Sequence, residues 1–210
     1  MFALLTFLMS ASAVFGLNLE IGAKGGPGLG WLSGSGYEEY RPGKDNEARV
    51  ILSAGVFIDI QILSWLSVQP EALISMKGGA YNDSHRFRAT FLEIPLYIKP
   101  KVLVGKGELY FLLGPYWAFL LSDFHWGYGG GDGYDYTPED STFLGVAGGI
   151  GYSFPTGKGT IILESLYSRT LDPLTSSLYL EDGEWVDTIY DTYFHGVVLY
   201  IGYSIPIGKK

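Results

Sequence analysis

The strongest hydropathy pattern lies between residues 49 and 79, where two long alternating runs flank a tight break. On the first run Val50, Leu52, Ala54, Val56, Ile58, Ile60 and Ile62 fill every even position, opposite Arg49, Ser53, Gly55, Phe57, Asp59 and Gln61. Seven apolar residues in seven same-parity slots would arise by chance roughly 0.5% of the time at this composition, so the period of two is a real signal. Beyond Ser64 and Trp65, one face carries Val68, Pro70, Ala72, Ile74 and Met76, and the other carries Gln69, Glu71, Ser75 and Lys77. A strand of about 13 residues extends about 43 Å, longer than most strands of soluble domains. The pair reads as one hairpin of an amphipathic barrel.

The same alternation recurs along the chain. Leu19, Ile21 and Ala23 oppose Asn18, Glu20, Gly22 and Lys24, and residues 31–48 read as a long connection rich in Gly and Tyr. After a break at 81–84, a fourth strand at 87–99 sets Leu92, Ile94, Leu96 and Ile98 against Glu93, Tyr97 and Lys99. Its turn at 104–107 holds glycines that accept positive φ. A fifth strand at 109–123 points Phe111, Leu113, Trp117 and Phe119 one way and Gly114, Tyr116, Ala118 and Ser122 the other. The sixth, at 142–154, alternates Leu144, Val146, Ile150 and Tyr152 with Gly145, Ala147, Gly149 and Gly151, leaving room for a large neighbour. In the seventh, at 160–170, only Glu164 indicates which parity points inward. The eighth opposes His195, Val197, Leu199, Ile201, Tyr203 and Ile205 to Phe194, Gly196, Val198, Tyr200, Gly202 and Ser204. Eight strands are expected, with connections alternating long and short, so that all long loops emerge on one side. That is the plan of an eight-stranded antiparallel up-and-down transmembrane β-barrel with short periplasmic turns and long extracellular loops.

Alternation alone does not decide which face is inside, because a soluble lipocalin-like carrier of a small apolar ligand also has eight amphipathic strands. Three features favour the membrane. Residues 1–16 (MFALLTFLMSASAVFG) resemble a secretory signal with cleavage after Ala13 or Gly16, leaving 17–210 as the barrel. The loop rhythm is the second feature. The third is the mixed face: Glu20, Lys24, Asp59, Gln61, Glu71, Lys77, Glu93, Lys99 and Glu164 are interleaved with Gly, Ser, Phe and Tyr, as in a narrow interior filled by side chains. These nine are expected to form a paired polar network inside the barrel, since unpaired charges are costly to bury. Trp65, Tyr97, Trp117, Phe154, Tyr167 and Tyr203 near strand ends are expected to form interfacial girdles.

Composition narrows the functions. A net charge of -8 disfavours nucleic acid as a partner. With no cysteine there is no disulfide framework and no thiol nucleophile. The connection after the seventh strand carries Asp172, Glu181, Asp182, Glu184, Asp187 and Asp191 without Lys or Arg, and its Leu178–Val186 stretch alternates around Asp182-Gly183 as a hairpin does. Glu181, Asp182, Gly183, Glu184 and Trp185 are therefore expected to form a surface ribbon able to dock an extracellular protein partner. Gly130-Gly131-Asp132-Gly133-Tyr134-Asp135 matches one copy of a calcium-binding repeat that requires stacked copies, so no metal and no cofactor is assigned. His85, His125 and His195 are scattered. His195 with Ser168 and Glu164 imitates a hydrolase set, but His195 has the lipid-facing parity and the other two point inward, so no catalytic residue is assigned.

Leu66-Ser67-Val68-Gln69-Pro70-Glu71 with Ser75-Met76-Lys77-Gly78 resembles the third strand of the PorT-like outer-membrane β-barrel family. Phe91-Leu92-Glu93-Ile94-Pro95-Leu96, followed by Lys99, is similar to that family's fourth strand, and Gly114-Pro115-Tyr116 with the glycine-rich sixth strand resembles its next two elements. The resemblance covers nearly all of residues 17–210. It implies an eight-stranded barrel in a Gram-negative-type outer membrane, with outer-membrane lipid and the barrel-assembly machinery as partners. A monomeric non-porin barrel, structural or adhesive in role, is the function expected.

Overall fold

The computed structural model describes residues 18–34, 48–82, 85–122, 124–126, 134–136, 142–172, 174–176, 179–181, 184–186 and 190–207. Side chains are described for 18–34, 48–78, 89–122, 142–172 and 193–207. Eight long strands make the wall: β1 (Asn18–Ser33), β2 (Arg49–Leu63), β3 (Leu66–Asn82), β4 (His85–Val104), β5 (Gly107–Leu120), β6 (Thr142–Thr156), β7 (Gly159–Thr170) and β8 (Tyr190–Ile207). Each pairs antiparallel with the next, and β8 returns to β1 over a register from Leu19↔Ile207 to Ser33↔Tyr193, which closes the sheet. Closure matters because lipid offers backbone groups no hydrogen bonds, so a spanning sheet must have no open edge.

The three tight turns match their sequences. Leu63-Ser64-Trp65-Leu66 joins β2 to β3, Gly105-Lys106 joins β4 to β5 with Gly105 at φ 64°, and Gly157-Lys158 joins β6 to β7. At the opposite end the pattern differs from expectation in two places. β1 runs on through Trp31 to Ser33, residues that read as loop in the sequence because Gly25, Gly26, Gly28 and Gly30 interrupt the apolar alternation. Gly26 and Gly28 are required there, since a Cβ on either would meet the β8 backbone at Leu199 and Val197. The connection between β3 and β4 is not a long loop either. Those strands are lengthened to 17 and 20 residues and stay paired up to Asn82↔His85, so the extra chain is ribbon. Short strands extend the same end: Phe124–Trp126 pairs with β4 and with Tyr134–Tyr136, and Leu174–Ser176 pairs with β8.

The apolar parity faces outward on every stave. Leu113 and Ile201 are each 63% exposed, whereas Lys24 and Glu71 on the opposite parity are 4% exposed. Val56 is exposed, with Ile58 and Ile60 partly so, and none of them lines an interior cavity; the lipocalin-like arrangement is therefore excluded. Leu19 departs from the rule and is buried between its partners Ile60 and Ile207. Of the six girdle residues, Trp65, Trp117, Phe154, Tyr167 and Tyr203 are exposed, but Tyr97 is an interior residue. Its odd position on β4 places it with Glu93 and Lys99, and parity outweighs residue type.

The outward parity generates a depth-dependent prediction. Val56→Arg, near the middle of β2, should cost about 2–4 kcal/mol of unfolding free energy in lipid vesicles, and Leu63→Arg, beside the turn, about 0–1 kcal/mol. Equal costs at the two positions would count against a lipid-facing wall.

Candidate functional site

The interior is stacked in levels from the turn end to the loop end. Nearest the turns, Lys99 Nζ lies 2.7 Å from Asp59 Oδ2 and donates to Gln69 Oε1 at 2.8 Å. Gln69 in turn donates through Nε2 to Glu71 Oε1 at 2.7 Å. At mid-height Lys24 Nζ sits between two carboxylates, 2.6 Å from Glu71 Oε1 and 2.6 Å from Glu164 Oε2. The Tyr110 hydroxyl donates to the other Glu164 oxygen at 2.9 Å. Asp59, Lys99, Gln69, Glu71, Lys24, Glu164 and Tyr110 thus form one chain of charge-assisted contacts. Its members come from β1, β2, β3, β4, β5 and β7, so the chain crosses the lumen.

Aromatic faces complete the solvation of the ammonium groups. Lys24 lies 4.7 Å from the centre of the Tyr200 ring, Lys99 4.1 Å from that of Tyr110, and Lys77 4.8 Å from that of Tyr116. Each geometry places the cation over the negative face of the ring. The glycines of β6 make this possible. A Cβ on Gly145 would collide with the Tyr116 ring and one on Gly151 with the Tyr110 ring, so both tyrosines lie flat across β6 with their hydroxyls toward the lysines and Glu164.

One level higher, Lys77 Nζ is 2.7 Å from Glu93 Oε1 and 3.3 Å from the Tyr116 hydroxyl, and Ser53 and Ser75 share a 2.7 Å hydrogen bond. A cavity of about 30 Å³ opens here beside Ser53, Lys77, Glu93, Tyr116 and Ser168. Its size and polar lining suit a water molecule and nothing larger. Toward the loops the lumen turns apolar. Phe91 packs edge-on against Phe143 and Phe194, each at 5.9 Å, with Leu32 buried beside them.

Eight of the nine residues assigned to the interior have partners there. Glu20 is set apart from the lysines and accepts from the Ser204 hydroxyl at 2.6 Å. Gln61 is a correction: although it has the inward parity, it lies at the turn-end rim, accepts from Asn18 Nδ2 at 3.0 Å and donates to the Ser64 carbonyl at 3.3 Å. Being two residues from the end of β2, it reaches the turn before it reaches a lysine. Sequence reasoning missed Tyr97, Tyr110 and Tyr200 as partners of the charges, and it missed the phenylalanine cap. The parity of β5 opposite a glycine ladder on β6 was the available signal for Tyr110.

Glu164 and Ser168 face the lumen while His195 stands on the outer wall, so these three are not brought together. In the last connection, Tyr179–Glu181 pairs with Glu184–Val186 as a two-stranded sheet with Glu181↔Glu184 innermost. Asp182 and Gly183 lie outside the described residues, as do 130–133 of the glycine-rich run and residues 1–17.

Because Lys24 is shared by two buried carboxylates, its removal leaves both uncompensated. Lys24→Met should cost about 3–5 kcal/mol in equilibrium unfolding from lipid vesicles. The triple variant K24M/E71Q/E164Q, which removes all three charges, should recover most of that loss. A single variant no less stable than wild type would mean that the pairing carries no energetic weight.

In comparisons with known proteins, residues 10–176 match the family model described as outer membrane protein beta-barrel domain. The curated proteins contain no match. Among solved structures, Neisserial surface protein A (NspA) is similar with a TM-score of 0.50 at 13% identity, over 89% of this chain and 96% of that one. Ail, the attachment invasion locus protein of Yersinia pestis, in complex with the heparin analogue sucrose octasulfate, has a TM-score of 0.43 at 14% identity, over 89% of this chain and 99% of its own. The outer membrane protease OmpT from Escherichia coli has a TM-score of 0.45 at 10% identity, over 90% and 97%. At 13% identity the likeness to NspA is one of fold. A closed eight-stranded wall, an apolar exterior and a family match over most of its length make this an outer-membrane protein, and the chain belongs to the outer membrane protein beta-barrel domain family.

Proposed function

We propose that this protein is a small non-porin barrel of the PorT-like branch of its family, with its lumen plugged by its own side chains and its work done at the cell surface. The observation that carries this reading is the contact chain from Asp59 to Tyr110. A solute passing through would have to separate Lys24 from both carboxylates and then displace the phenylalanine cap. Separating buried ion pairs costs several kcal/mol per ion, far more than thermal energy. The interior serves as structural fill, and the acidic extracellular connections are able to meet another protein. The paired segments Tyr179–Glu181 and Glu184–Val186 support a docking role, because a short two-stranded sheet has edges to which a partner strand can add.

Two measurements test this. The purified protein in a planar bilayer should show no stable conductance step, whereas a variant with Lys24, Glu71 and Glu164 all changed to Ala should show fluctuating openings. A steady ohmic conductance from the wild type would refute the plug. On intact cells, an added protease should cut within 173–189 and leave the barrel strands protected; a chain left whole there would contradict a surface role for that connection.

A further inference from the structure

The outer wall near the loop end carries a cluster that the interior reading does not use. Trp31 and Ser33 on β1, His195 on β8 and Tyr167 on β7 share the parity of the exposed Leu29, Leu199 and Leu163. Ser33 Oγ lies 2.6 Å from His195 Nε2, and the Tyr167 hydroxyl oxygen lies 2.7 Å from His195 Nδ1. Trp31 stacks on the imidazole at 5.6 Å with 9° between the planes, fixing its rotation. The register builds this arrangement. Trp31 is the Cα partner of His195, Ser33 pairs with Tyr193 two residues to one side, and Tyr167 pairs with Val197 two residues to the other. The histidine is therefore held between two diagonal neighbours, one at each ring nitrogen.

A hydroxyl at one imidazole nitrogen and an orienting oxygen at the other is the arrangement of nucleophile, base and positioning group used in acyl transfer. With the Nδ1 proton donated to Tyr167, Nε2 accepts the Ser33 proton. We propose that Ser33 and His195, positioned by Tyr167 and Trp31, form an acyl-hydrolase site on the outside of the barrel. Its substrates are carboxylic esters of outer-leaflet lipids. The location selects that class. The site opens to the bilayer and not to the lumen, and the apolar wall at Leu29 and Leu199 below it meets acyl chains. Lipid ester groups lie where acyl chains give way to headgroups, which is the height at which this wall gives way to loops. Arg169, the Cα partner of His195, places its guanidinium 5.1 Å from the centre of the Tyr193 ring, on the headgroup side and next to the Ser33 pair. A cation there matches a lipid phosphate.

In the reaction, Ser33 Oγ forms a bond to the ester carbonyl carbon and its proton passes to His195 Nε2. The bond from that carbon to the lipid alkoxy oxygen then breaks, and the departing oxygen takes the proton from Nε2. Interfacial water, deprotonated by Nε2, attacks the acyl-serine. The fatty acid leaves and the proton returns to Ser33. One ester and one water become one alcohol and one acid.

The test uses the purified barrel in detergent micelles with a long-chain fluorophosphonate, which bonds covalently to an activated serine. Peptide mass spectrometry should find Ser33 modified, and Ser33→Ala should abolish the label. His195→Asn should slow labelling about 100-fold. Tyr167→Phe should lower the maximal inactivation rate several-fold while leaving the half-saturating probe concentration unchanged, a split that loss of fold would not produce. Heat-modifiable migration in SDS confirms that each variant is folded. A wild-type Ser33 that stays unmodified, or a His195→Asn variant labelled at the wild-type rate, overturns the proposal and leaves the cluster an interfacial aromatic girdle.

Discussion

The structure depends on one ammonium group. Lys24 projects from β1 into a lumen that has no bulk water at its height, and it is stable there because Glu71 and Glu164 reach it from strands two positions away on either side. Each carboxylate is then obliged to find further donors, which draws in Gln69, Lys99 and Tyr110. A buried charge pair tolerates poor geometry badly, since neither ion can fall back on solvent. Eight strands set a cylinder narrow enough for these groups to meet, and the glycines at 145 and 151 admit the Tyr116 and Tyr110 rings beside them.

Lipid imposes the complementary constraint from outside. Acyl chains exclude charge along most of each stave, so the polar groups of a 210-residue chain are sorted to the lumen, the rims and the loops. The sorting uses the two-residue period of a strand, and a slip of one residue would exchange grease for ions over a whole stave. The exposed positions of β2 and the buried ones of β3 show how completely the register is specified: Val50, Leu52, Val56 and Ile62 stand outside, while Ser67, Gln69, Glu71, Leu73, Ser75 and Lys77 stand inside.

That periodicity made the architecture legible. The eight staves, the three tight turns and the inward parity of β7, inferred from Glu164 alone, are all found in the structure. Legibility failed where parity stops carrying information. Gln61 has the right parity but sits too near a turn, and the stretch from Trp31 to Ser33 was hidden behind glycines that look like loop and serve as strand. Pairings across the lumen or between strands were beyond a one-dimensional reading. Lys24 and Glu164 are 140 residues apart, and the Ser33 contact to His195 spans 162. For the same reason the sequence sets His195 against Ser168 and Glu164, inward-pointing residues of the adjoining strand, and does not reveal the outward-pointing hydroxyls that the register places beside it.

The position of Lys24 also bears on the order of events during folding. It stands on the first stave and one of its two counter-ions on the seventh, so the pair forms only once the last stave has joined the first. Until that seam zips, the unfinished cylinder presents hydrated ions along an open furrow. Sealing the seam dries the furrow and brings Glu164 to a lysine whose other partner, Glu71, stands on the near side of the cylinder, which makes the β1–β8 junction a latch for that last contact.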